Sequence, residues 1–123
     1  MFNKNISINV DRDSVCAGDD SESHESRINI SSSLDIYELV NTILEKYPLA
    51  KIEGDQATWV VDVGERTSIG VVAQQWSKPE LVISPDISVK QLFADIPRNI
   101  YFRYMSQVDP HEVLESIRTK KAH

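Results

Sequence analysis

The sequence predicts an α+β fold: a mixed β-sheet with one main helix packed across it, followed by a C-terminal helix. Three observations predict it. "ISINV" and "RINI" alternate polar and apolar residues with the period of half-buried strands. "SSSLDIYELVNTILEKYP" carries apolar residues at helical spacing. The runs "TWVVDV" and "SIGVVAQQW" are rich in β-branched residues.

Taken in order, Ile6, Ile8 and Val10 alternate with Ser7 and Asn9, and Ile28 and Ile30 flank Asn29, which makes a first strand pair. Ile36, Leu39, Val40, Ile43, Leu44 and Tyr47 then fall at i, i+3, i+4, i+7, i+8 and i+11, with Ser32 and Asp35 as an S-x-x-D start and Pro48 as the stop. "TWVVDV" and "SIGVVAQQW", separated by "GERT", read as a hairpin. Trp59 shares a strand face with Val61 and belongs to the core, while Val60 and Asp62 share the other face. "ELVIS" is a further short strand, and "PDISVKQLF" suits a short helix or a 3₁₀ turn. "NIYFRYM" alternates again, with Ile100, Phe102 and Tyr104 on one side. Asp109 as N-cap, Pro110 at N1 and Glu112 at N3 open a C-terminal helix over 109–119. One core is expected from Ile6, Ile8, Ile28, Ile30, Leu39, Val40, Ile43, Leu44, Val61, Val71, Leu92, Ile100 and Phe102.

With 123 residues, 41% hydrophobic and 26% charged, the chain is expected to form one domain over 1–123. Nothing in it approaches the run of about 18 apolar residues of a membrane span, and "MFNKNISINV" has no secretory h-region, so a cytoplasmic location is expected. Cys16 is the single cysteine, which excludes an internal disulfide and a four-cysteine zinc site within one chain. The N-x-S triplets at Asn5 and Asn29 fall inside strands and are read as chance.

Charge is concentrated in one place. Residues 11–25, the loop expected between the first two strands, hold Asp11, Asp13, Asp19, Asp20, Glu22 and Glu25 against Arg12, a net −5 of the chain's −6. Such a chain is a poor ligand for nucleic acid or an anionic membrane, because both are bound by basic residues that neutralise phosphates. A basic protein or a cation suits it better.

Chemical motifs are sparse. Counting Asp11 as the first position of an EF-hand loop puts Asp13, Asp19 and Glu22 at ligand positions, but Val15 and Cys16 occupy the fifth position and the glycine position. "HEVLE", with His111 and Glu115, lacks the second histidine of a zinc-protease motif. Cys16 and His24 have no recognised metal-ligand spacing, and no nucleophile elbow, phosphate loop or dinucleotide fingerprint is present. No catalytic residue, metal or cofactor is therefore expected. Trp76, beside Gln74, Gln75, Ser77 and Lys78, is a candidate aromatic anchor for a partner.

The element order from Ile6 to Tyr104 resembles a ubiquitin-like β-grasp, in which a mixed sheet curls around one helix. The chain ends "RTKKAH" without a di-glycine tail, so conjugation as a modifier is not implied. The small acidic chain and the phrase "VDRDSVCAGDD" within residues 6–30 resemble immunity proteins of bacterial polymorphic-toxin and contact-dependent growth-inhibition systems. That resemblance implies a non-enzymatic inhibitor of a basic, nuclease-like cognate toxin. Its partner-binding residues would be Asp13, Asp19, Asp20, Glu22 and Glu25, on a loop expected to be mobile until a partner orders it. Two other classes stay open: a β-grasp adaptor of another role, and a metal-binding sensor or enzyme.

Overall fold

The computed structural model describes residues 5–13, 24–47, 49, 56–84, 86–106 and 108–121. Its elements are β1 (Asn5–Arg12), β2 (Ser26–Ser31), α1 (Ile36–Lys46), β3 (Thr58–Val63), β4 (Thr67–Ala73), β5 (Glu80–Leu81), α2 (Val89–Leu92), β6 (Asn99–Tyr104) and α3 (Pro110–Lys121). The strands form one mixed sheet in the order β2-β1-β6-β3-β4-β5. At its centre β1 and β6 run parallel, from Asn9 opposite Asn99 to Arg12 opposite Phe102, and every other pair is antiparallel. This is the expected α+β, β-grasp-like arrangement: one main helix lies across the sheet and a C-terminal helix follows. No helix among the described residues is long and apolar enough to cross a membrane.

The start of α1 differs from its expected cap. Asp35, not Ser32, is the N-cap: its carboxylate accepts from Glu38 N–H at 2.8 Å, and Glu38 accepts from Asp35 N–H at 3.1 Å. This reciprocal box satisfies two donors that helix geometry leaves without partners. The Ser32 carbonyl instead accepts from Lys90 N–H at 3.1 Å. Ser88 and Gln91 build a second box on α2, and the two N-termini are joined by Ile36 N–H to Ile87 O at 3.0 Å and Val89 N–H to Leu34 O at 2.8 Å. The short helix thereby braces the entry to the long one.

Ile36, Leu39, Val40 and Ile43 of α1 are buried against Ile8, Val10, Ile28, Ile30, Trp59, Val61, Ile69, Ile100 and Phe102. Ile6, Leu44 and Leu92 are only partly buried at the margin of this core. Val71 does not join it. The pairing of β3 with β4 slips between Val61, opposite Gly70, and Asp62, opposite Ser68, which leaves one extra residue in β4. Such a bulge reverses the alternation beyond it. Ile69 faces α1, while Val71 lies on the opposite face with Val60, Val113, Leu114 and Ile117 of α3. The single expected core is two.

Some boundaries also move. Asp11 and Arg12 belong to β1 instead of the loop, so the strands flank residues 13–25. "ELVIS" contributes only Glu80 and Leu81 to the sheet. They approach β4 so closely that a Cβ on Gly70 would meet the Glu80 carbonyl at 2.6 Å, a distance that requires glycine. Asp109 caps α3 as expected, its carboxylate accepting from His111 N–H at 2.9 Å.

Candidate functional site

The face of the sheet opposite α1 is divided. α3 lies over β4 and β3, whereas the polar residues of β1 and β6 border an open cleft of about 540 Å³. Alternation builds its walls: Asn9, Asp11 and Asp13 follow one another at every second position of β1 and its end, and Asn99, Tyr101 and Arg103 do so on β6. Glu25, at the other root of the acidic loop, and Arg66, in the β3–β4 turn, complete the rim.

Asp13 is built into this frame. Its N–H donates to Phe102 O at 3.0 Å, one carboxylate oxygen accepts from Tyr104 N–H at 2.8 Å, and the other accepts from the Tyr101 hydroxyl. The hydrogen bond to Asp13 first, then the phenol's own burial and the charges of Asp13 and Asp11, push Tyr101 from 10.0 up to about 12. A phenol whose folded value is raised stabilises the fold fully below its unfolded value, and that contribution is lost as pH rises from about 10 through about 12. A spectrophotometric titration is expected to show the Tyr101 transition at about 12, above the ordinary phenol value of 10.0. Asp13→Asn removes the charge and is expected to move that transition earlier; a titration unchanged by the substitution would disprove the coupling.

The second root of the loop is anchored as well. The Tyr47 hydroxyl, at the end of α1, donates to the His24 carbonyl, and the Tyr47 ring stacks on Phe102 with centroids 6.3 Å apart. Both ends of the acidic loop are thus tied to β6, one directly and the other through Tyr47. Asp19, Asp20 and Glu22, and the expectation that the loop is mobile, lie outside the described residues.

Deeper in the cleft, Asp62 is 3% exposed. A bare carboxylate there would be costly, and two contacts answer for it, with a third joining its two partners. Arg103 Nε donates at 3.0 Å to one oxygen, Ser68 Oγ donates at 2.6 Å to the other, and an Arg103 terminal nitrogen reaches Ser68 Oγ at 3.3 Å. Asp62, Arg66 and Arg103 also line a neighbouring groove of about 610 Å³ that runs beneath α3 past Met105 and Val108. Among the described residues, no three His, Cys, Asp or Glu side chains converge to hold a metal. Cys16 lies outside them.

Of the residues singled out in the sequence, Asp13 and Glu25 share the cleft and Trp76 does not. The Trp76 ring lies 5.1 Å from that of His111 and packs against the α3 core, beside a separate depression of about 240 Å³. It joins the end of β4 to α3. The Asp62, Ser68 and Arg103 network and the role of Tyr101 were not foreseen. Asp62 carried a signal, an acid alternating with valines in "TWVVDV", but its partner Arg103 is 41 residues away. Comparison of the chain with protein-family models, with characterised proteins and with solved structures finds no match.

Proposed function

We propose that this chain is a toxin-neutralising immunity protein, a non-enzymatic inhibitor that covers the basic surface of a cognate, nuclease-like toxin in the cytoplasm. One observation carries the reading: a loop segment bearing most of the chain's net charge leaves the sheet from two anchored roots, and those roots open on a cleft lined by Asp11, Asp13 and Glu25. Fixed carboxylates that imitate a phosphate backbone act in two ways. At long range they raise the association rate, and in the contact they slow dissociation. The partner is the toxin protein and neither nucleic acid nor membrane, whose phosphates an acidic surface repels.

The test changes Asp19, Asp20 and Glu22 together, to Asn, Asn and Gln. Cells making the toxin encoded beside this gene are expected to lose protection while the variant stays folded and soluble. Each pair buried in the interface is expected to lose about 2–5 kcal/mol, and rim pairs about 1 kcal/mol or less. Added salt is expected to slow association more than it speeds dissociation. Full protection with unchanged toxin affinity would overturn the role given to the loop.

A further inference from the structure

The two edges of the sheet are unlike. β5 is two residues long and directly follows Pro79, so it offers little backbone to a further strand. β2 is six residues long, contains neither Pro nor Lys, and pairs with β1 without a bulge from Ser26 opposite Val10 to Ser31 opposite Asn5. Its one charged residue, Arg27, does not guard the edge: Nε donates to Asn9 Oδ1 on β1 at 3.2 Å. Among the described residues, no strand pairs with the outer edge of β2. Among the described residues, and apart from the charge of Arg27, the usual protections against edge pairing are missing here and present at the other end.

We infer that a second copy of this chain occupies that edge, β2 against β2 about a two-fold axis, making one continuous sheet. The sequence of β2 suits a copy of itself with Asn29 at the axis. In an antiparallel pair, opposed residues share a face. With Asn29 at the axis, Ile28 meets the other copy's Ile30, twice, on the α1 side, and Arg27 meets Ser31, twice, on the other. An axis at Arg27 would oppose two arginines, and an axis at Ile28 would set Ile30 against Ser26. The charge distribution allows this arrangement as well. Antiparallel pairing sends the two acidic loops to opposite ends, their β2 roots about 20 Å apart, beyond the screening length of about 8 Å at physiological salt. Main-chain hydrogen bonds would supply the affinity, and the exposed Asn29 pair with the two Arg27–Ser31 pairs the register, Ile28 and Ile30 being already buried in their own core.

This inference does not depend on the acidic loop or on a toxin, and its test uses the chain alone. Sedimentation of the full chain between low-micromolar and about 1 mM concentration is expected to show a monomer–dimer equilibrium. Asn29 is exposed, so Asn29→Lys and Asn29→Asp are expected to leave the circular dichroism spectrum unchanged. Each alone places like charges face to face at the axis, and is expected to weaken the dimer about fivefold or more. Mixed in equal amounts, the two variants are expected to associate with each other in preference to themselves, read by native mass spectrometry. A wild-type chain that stays monomeric throughout, as it would if a strand of another protein takes the edge, overturns the inference. So does a dimer indifferent to both substitutions, since it would use another surface.

Discussion

Ile43→Ala is expected to cost about 2–5 kcal/mol of folding stability, and Leu44→Ala, one residue on, distinctly less. Both are apolar residues of α1 at helical spacing, but Ile43 is fully buried in the core beneath the helix and Leu44 is only partly buried at its margin. Removing three carbons from Ile43 leaves a cavity that packed neighbours cannot fill, and the lost contacts add to the lost transfer energy. At Leu44 the space left is open to solvent on one side. Urea unfolding of both variants separates them: equal losses, or a larger loss at Leu44, would show that α1 is rotated from the orientation described.

Arg103→Met is the second large effect, expected to cost about 2–4 kcal/mol, because it strips the charge partner from a carboxylate that is nearly out of water. The Asp62 side chain is 4% exposed and that of Arg103 40%, so the two halves of the pair are not equivalent. Without the guanidinium, Asp62 keeps only the Ser68 hydroxyl as a side-chain partner among the described residues. Asp62→Asn is expected to cost less, since the partly exposed guanidinium regains water and the amide oxygen still accepts a hydrogen bond. Thermal unfolding that ranks Asp62→Asn as the more damaging of the two would contradict this asymmetry. The pair also lines the cleft between β1 and β6.

Much of this was legible in the residues. Period-two runs became β1, β2, β3 and β6, and the i, i+3, i+4, i+7 spacing placed Ile36, Leu39, Val40 and Ile43 on the buried side of α1. Those patterns are local: side-chain direction repeats with the backbone, so each segment carries its own record of which residues lie together. The cap of α1 was equally local and was misassigned, because Asp35 with Glu38 competes with Ser32 with Asp35 as a start signal and the structure uses the former. Asp13 was assigned to a free loop for a similar reason. Nothing near it in the chain announces Tyr101 and Tyr104, which hold it from 88 and 91 residues away.

By itself, then, the sequence determined the kinds and order of the elements, the apolar stripe of α1 and the segregation of charge into one segment between two strands. Only the tertiary structure decided the neighbours. Alternation separates two faces but does not say what each will meet, so it could not foretell that α3 covers Val60 and Val71 while the β1 and β6 half stays open. One extra residue in β4 then sent Val71 to the face opposite Ile69, a change that strict period-two reading cannot contain. The parallel meeting of β1 with β6 brought Asp11 beside Tyr101, and the antiparallel pairing of β3 with β6 brought Asp62 within reach of Arg103. Those meetings follow from how the whole apolar surface is buried at once, and no single segment encodes them.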